Sequence, residues 1–443
     1  MKKQDQNNAS RRDFVINGSL MAGGLMTAPL LSKANFFSGA EDTIKVAVVG
    51  CGGRGTGAAM QALSSKQNVK IVALCDAFKD NVDNCHKELT EEINNSIGEL
   101  AKRLDVPEER KFTGFDGYKK AIALADVVIL ATPPGFRPIH FEEAINQGKH
   151  VFMEKPVATD PAGVQKVLAT AAIAKQKKLN VVVGLQRHYQ NSYRELFKRK
   201  DLIGDITSMQ AWWDNDGVWT RPRKAGQTEM EYQMRNWYYF NWLCGDHINE
   251  QHIHNLDVIN WFKEGYPVKA QGFGGRQVRN SKEHGEIFDH HFVEYHYADG
   301  SILNSQCRHI PGTMSKVDEL LVGTKGKIHC GQAKIVDHGG KVLFQFAKKG
   351  EPDPYQNEHD ELFAAIAKGQ YKYADAENGA KSTMTSIMGR MATYSGQMIE
   401  WDKAINSGID IHPKVYDFNA APPIVPNADG FYPIAVPGVT KYF

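Results

Sequence analysis

Short apolar runs alternate with longer helix-compatible stretches through the first half of the chain. The runs fall at 44–49, 69–75, 126–131, 150–153 and 181–185, and the helical candidates at 56–64, 79–104, 139–147 and 161–177. Continuous β-branched runs separated by helices mark strands buried on both faces, so this half predicts an α/β fold with a doubly wound parallel sheet. From Ile206 the period changes to two, with candidate strands at 206–213, 268–273, 290–297, 301–308, 319–322, 326–330 and 341–346 and a turn at Ala298-Asp299-Gly300. Alternation of that kind predicts a C-terminal α+β domain built on a mainly antiparallel open sheet. The chain of 443 residues exceeds what one core usually organises, which fits two domains. The expected divisions are an N-terminal segment 1–40, a nucleotide-binding domain 41–187, a second domain 188–412 and an arm 413–443. That arm carries Pro413, Pro422, Pro423, Pro426, Pro433 and Pro437 and is expected to run extended over a neighbouring domain or subunit.

The first forty residues read as an address. Ser10-Arg11-Arg12-Asp13-Phe14-Val15 precedes a soft apolar run, 15–31, interrupted by Asn17, Gly18, Ser19, Gly23, Gly24 and Pro29. This resembles a twin-arginine export signal rather than a membrane span, which needs about twenty strongly apolar residues. Export to the periplasm or beyond is therefore expected, with no stable span after cleavage. Because that route carries folded proteins, a cofactor that stays bound is expected with it.

The strand 44–49 runs directly into Gly50-Cys51-Gly52-Gly53-Arg54-Gly55 and a helical segment. In such a Rossmann motif the first glycine allows a tight turn, the second a close approach of backbone to a pyrophosphate, and the third close helix-to-strand packing. The helix N-terminus adds unpaired N–H groups for the phosphates. The second run ends in Asp76, 26 positions after Gly50, where a carboxylate accepts a ribose 2′-hydroxyl and repels a 2′-phosphate. NAD is therefore expected over NADP, although Arg54 keeps NADP open. Gly53 and Arg54 complete the loop's candidate cofactor contacts.

Beyond the glycines, the run 126–131 ends in Thr132-Pro133-Pro134 with His140 on the next helix, and the run 150–153 ends in Glu154-Lys155-Pro156. With these residues the sequence resembles the glucose-fructose oxidoreductase, inositol dehydrogenase and MocA (Gfo/Idh/MocA) family, from about Ile44 to the C-terminal region. The resemblance implies that Lys155 lies beside nicotinamide and the reacting hydroxyl, with Thr132, Pro133, His140 and Glu154 at the cofactor. It implies an acid followed four residues later by a histidine as the second catalytic element. Glu250 and His254 match that spacing, with glutamate in place of the commoner aspartate. On one helical face, Glu250, His254 and Asp257 are expected to converge on a single hydroxyl, His254 serving as general base. Arg187, in Gln186-Arg187-His188-Tyr189, resembles the family's substrate-facing arginine, the alternative being an interdomain ion pair. His247 is a further substrate candidate. With Glu250 and His254 it forms an i, i+3, i+7 stripe compatible with a divalent metal, but such groups beside a sugar site more often bond hydroxyls, and no metal is expected.

Composition narrows the alternatives. Lys plus Arg number 53 against 51 Asp plus Glu, with no basic stripe, so nucleic acid is not an expected partner. Six cysteines without a CxxC pair indicate neither a zinc knuckle nor a disulfide framework. Aromatic residues gather at Trp212, Trp213, Trp219, Trp237, Tyr238, Tyr239, Phe240 and Trp242, half expected in a sugar pocket and half in the core. The expected function is an exported NAD-dependent oxidoreductase acting on a secondary hydroxyl of a sugar, polyol or glycoside. The alternatives are an NAD-dependent glycosidase or lyase working through a transient 3-keto sugar, and a non-catalytic sensor. A homo-oligomer is expected by resemblance alone.

Overall fold

The computed structural model describes residues 42–95 and 100–442. The proposed export signal lies outside them. The described residues fall in one compact unit. Its first sheet contains β1 (Ile44–Val49), β2 (Val69–Asp76), β3 (Lys111–Thr113), β4 (Val127–Leu130), β5 (His150–Met153) and β6 (Val181–Val183). All pairings are parallel and the order is β3-β2-β1-β4-β5-β6. The order reverses between β1 and β4, and ligands bind outside the carboxyl ends of strands at such a switch point. The short β3 escaped the sequence reading because its three residues, Lys111-Phe112-Thr113, carry a single aromatic and no apolar run.

The second sheet contains β7 (Ile206–Asn215), β8 (Lys269–Gly275), β9 (His290–His296), β10 (Ile302–His309), β11 (Lys316–Gly323), β12 (Gly326–His329), β13 (Lys334–Asp337), β14 (Val342–Gln345) and β15 (Ile399–Glu400). Its order is β14-β13-β12-β11-β7-β10-β9-β8-β15, antiparallel throughout except where β10 pairs with β7. Strict burial alternation along β9 and β10 puts one face in the core, as the period-two pattern predicts.

One expectation is corrected. The helix expected over 79–104 ends at Asn95, with a short 3-10 turn at Leu100–Arg103. Asn94 and Asn95, weak helix formers, stand at its end. The second domain does not keep to itself. Leu362, Phe363 and Ile366, from the helix Pro354–Ala367, share a buried cluster with Val46, Ile71 and Ile129 of the parallel sheet.

The proline-rich arm folds back over its own chain. Phe418 lies 5.3 Å from Phe78 and 4.8 Å from Phe115, and Tyr416 lies 5.4 Å from Phe136. Thr228 Oγ1 donates to the Phe418 carbonyl, tying the arm to the loop before the helix Glu229–Arg235. All six cysteines are buried and unpaired. Among the described residues no helix is long and apolar enough to cross a membrane.

Candidate active site

The glycine loop closes by contact, not only by conformational freedom. Gly50 has φ +100°, and a Cβ there would lie 2.4 Å from the Thr132 nitrogen. A Cβ on Gly55 would lie 1.8 Å from the Gly50 carbonyl oxygen, so no side chain fits between loop and helix. Gly52 and Gly53 differ: a Cβ on either meets nothing within 4 Å, leaving that side open to a phosphate. The helix Gly53–Leu63 has no side-chain cap at Gly52, so its first N–H groups remain available to an anion. Gly55→Ala is accordingly expected to destabilise the fold by about 3 kcal/mol through overpacking. Chemical denaturation checks this, and an unchanged midpoint contradicts the contact.

Asp76 sits at the end of β2 and accepts hydrogen bonds from the Cys51 nitrogen (2.8 Å), the Phe78 nitrogen (3.0 Å) and Asn81 Nδ2 (3.0 Å). Burial raises its pKa and these donors oppose the rise. A carboxylate has about four lone-pair sites, so one remains for a ribose hydroxyl. Arg54 turns away from that end. Its Nε meets Glu154 Oε1 at 2.5 Å and its Nη atoms reach Gln61, so its charge is partly met within the protein. His140 is buried, 3.2 Å from Thr132 Oγ1, and burial pushes its pKa down to about 3, so it stays neutral. Together these residues fit NAD, and the cleft they border, about 1110 Å³, includes Gly50, Gly52, Gly53, Arg54, Asp76, Thr132, Pro133 and His140 in its lining. Trp219 lines it too, with Arg221, Arg223 and Lys224, basic residues that the sequence reading missed because their loop belongs to no periodic element.

Lys155, Glu250 and His254 are not part of that lining; they form a smaller group beside it. Lys155 Nζ donates to Glu250 Oε1 at 3.0 Å and to the Glu250 carbonyl at 2.5 Å. The Lys155-Pro156 bond is cis. Glu250 is raised above the usual carboxylate range by burial, with Lys155 opposing. His254 is held well below its ordinary value by burial, Lys155 and Arg187, and its ring stacks 5.8 Å from Trp213. Lys155 carries three N–H donors, two of which go to Glu250, leaving one for a substrate oxygen.

The single helical face expected for Glu250, His254 and Asp257 is not what forms. The chain breaks between His247–Glu250 and Ile253–Lys263, and Asp257 turns into the interior. There its Oδ2 meets His188 Nε2 at 2.8 Å while Oδ1 accepts from Asn378 and Ser382. His247 is fully buried against His291 and His309, away from Glu250. Arg187 takes the interdomain alternative: its Nη1 pairs with buried Glu319, which also accepts from Tyr193 and Asn255. Asp257 and Arg187 are thus engaged by the protein itself. Of the aromatics, Tyr239, Phe240 and Trp242 are core, while Trp219 and Trp237 border the cleft.

Residues 44–185 match the family model described as GFO_IDH_MocA, an oxidoreductase family with an NAD-binding Rossmann fold. The chain is 26% identical over 246 residues to an inositol 2-dehydrogenase of Gluconacetobacter diazotrophicus, covering 55% of this chain and 61% of that protein. A glycosyl hydrolase family 109 protein of Solibacter usitatus is 29% identical over 165 residues, 34% of this chain and 33% of the relative. The chain therefore spans under two thirds of the curated relatives it matches here. Among solved structures, a scyllo-inositol dehydrogenase from Lactobacillus casei with bound NAD(H) and scyllo-inositol shares the fold. It superposes with a TM-score of 0.60 at 20% identity, over 82% of this chain and 100% of that one.

Proposed function

We propose that the chain, whose residues 44–185 match the Gfo/Idh/MocA oxidoreductase family model, acts as an oxidoreductase of that kind and oxidises a secondary hydroxyl of a sugar, polyol or glycoside. The observation that carries the reading is the Lys155–Glu250 pair at the carboxyl end of β5, with His254 beside it. NAD, when bound by the glycine loop and Asp76, supplies the hydride acceptor. The remaining Lys155 proton holds the substrate oxygen and stabilises negative charge as it develops. His254, neutral in its buried setting, accepts the hydroxyl proton, and Glu250 fixes the lysine and offers a second proton acceptor.

A tightly held cofactor is part of this reading. The basic loop around Arg221 lines the cleft, and Arg235 bridges to Asp80 through two bonds of 2.8 Å while lying 3.6 Å over the Phe78 ring. The twin-arginine pattern at Ser10–Phe14 supports export of the folded chain with that cofactor seated. The outward face of the nine-stranded sheet is the surface for self-association in the same reading.

The second reading, glycoside cleavage through a transient 3-keto sugar, draws support from the family 109 likeness. Incubation with a panel of polyols, sugars and aryl glycosides separates the two. Net NADH with a keto product supports oxidation; aglycone release with NAD unchanged supports the second reading.

The acid limb of kcat/KM is expected to follow Glu250. Burial raises the Glu250 pKa above its ordinary value and holds that of His254 well below its own, so Glu250 is the group expected to gate activity on the acid side. Activity should rise through a pKa above 4.5, Glu250→Gln should remove that limb, and His254→Asn should lower the plateau without moving it. A limb near 6.5 that vanishes with His254→Asn contradicts the assignment.

A further inference from the structure

Behind Glu250, at the turn that starts its short helix, lies a polar cluster that the proposed chemistry does not use. Gly245 and Asp246 both have positive φ, +77° and +72°, and for aspartate this conformation is costly unless the surroundings enforce it. Asp246 is fully buried, as are His247 and His291 within 2% exposure. Asp246 Oδ1 lies 2.8 Å from His247 Nδ1 and 3.3 Å from His291 Nε2, and the three atoms lie within 4.8 Å of one another. Neither close approach has the angle of a directed hydrogen bond, and each becomes an ion pair only with a charged ring. Among the described residues, both ring nitrogens of His247 and the Nε2 of His291 have no hydrogen-bond partner. An orphaned buried polar atom costs roughly 1–3 kcal/mol, so three around one carboxylate oxygen need an explanation.

The protons sharpen the point. Thr393 Oγ1 donates to the carbonyls of Gly389 or Arg390, each 3.1 Å away, so toward His291 Nδ1, at 2.9 Å, it acts as acceptor. With Nδ1 donating to Thr393, a neutral His291 presents a bare lone pair at Nε2 to the carboxylate oxygen. Asp246 already accepts from the His247 nitrogen, the Phe288 nitrogen and the Tyr394 hydroxyl, which fixes its carboxylate but leaves a lone pair of Oδ1 facing both rings. Lone pairs converging at this distance repel unless a cation lies among them. Bonds of about 2.0 Å to a tetrahedral ion set ligand atoms roughly 3.3 Å apart, the scale of this triangle.

We propose that Asp246, His247 and His291 bind a divalent first-row transition ion, zinc or a close neighbour. Two imidazoles and one carboxylate suit that class rather than calcium or magnesium, which take oxygen ligands. The Thr393 contact to His291 is the outer hydrogen bond that orients a metal-bound histidine. The site has no solvent access, so the ion braces structure: it holds the Gly245–Asp246 turn from which Glu250, four residues on, reaches Lys155. This set differs from the stripe of His247, Glu250 and His254 read from the sequence, since it needs His291 from β9.

The test is elemental analysis of untagged wild-type protein purified without chelator, followed by melting after chelation and after adding Zn2+, Mn2+ or, anaerobically, Fe2+. About one ion per chain is expected, with a melting temperature that falls on chelation and recovers with the ion. His291→Gln should lower occupancy at least tenfold, while His309→Gln, whose ring stacks on His247 outside the triangle, should keep the ion. If His291→Gln does not fold, the chelation and recovery arm decides alone. Less than about 0.1 ion per chain both as isolated and after incubation, with no ion-dependent melting shift, overturns the proposal and leaves a protonated histidine against Asp246. None of these readouts depends on which substrate the enzyme takes.

Discussion

Lys155→Met is expected to lower kcat by on the order of 10³-fold, the scale of a lost proton-handling and charge-stabilising group, while NAD stays in the cleft. The two effects separate because Lys155 lies outside the cleft lining. The substitution also leaves the Glu250 carboxylate buried without its cation, which by itself costs stability. Lys155→Met/Glu250→Gln removes that stranded charge. The double variant should recover most of the lost stability and none of the activity. Recovery of both would show that Lys155 only neutralises Glu250.

Glu319→Ala is expected to destabilise the protein by about 3–5 kcal/mol, read from chemical denaturation, because it strands a buried guanidinium. Glu319 is fully buried, and Arg187, Tyr193 and Asn255 all donate to it across the junction of the two sheets. Burial raises the Glu319 pKa and Arg187 opposes the rise, as expected for a desolvated pair held together by its own attraction. Arg187→Met/Glu319→Leu, which replaces the pair with apolar volume, should regain most of the loss. A substrate-binding role for Arg187 would instead raise KM in the double variant with stability restored, so one pair of proteins tests both roles.

The parallel sheet was legible because each buried strand writes its full length as an apolar run: β1 and β5 match their sequence bounds residue for residue. The glycine loop and Asp76 were legible for the same reason, since their spacing is local. The long helix Ala376–Ser395 was not. It is rich in Ser and Thr, a composition that reads as surface, yet Ser382, Thr383 and Ser386 are fully buried. They are there because they satisfy polar atoms elsewhere: Ser382 bonds Asp257, Ser386 bonds Asn249, and Thr383 accepts from the Val157 nitrogen. Partners more than a hundred residues away leave no trace in a periodicity. The interior placement of Asp257 has a local cause as well. Spacing of three or four places residues on one face only if the helix is continuous, and here it breaks after Glu250.

The measurement that bears most directly on the central claim is mass and absorbance analysis of nicotinamide released by denaturing the purified protein, before and after a single turnover with sugars, polyols and glycosides. The account predicts NAD in the wild type and in Lys155→Met, with conversion to NADH by at least one polyhydroxylated substrate in the wild type alone. A protein that neither carries nor binds nicotinamide contradicts it, as does equal conversion in both proteins.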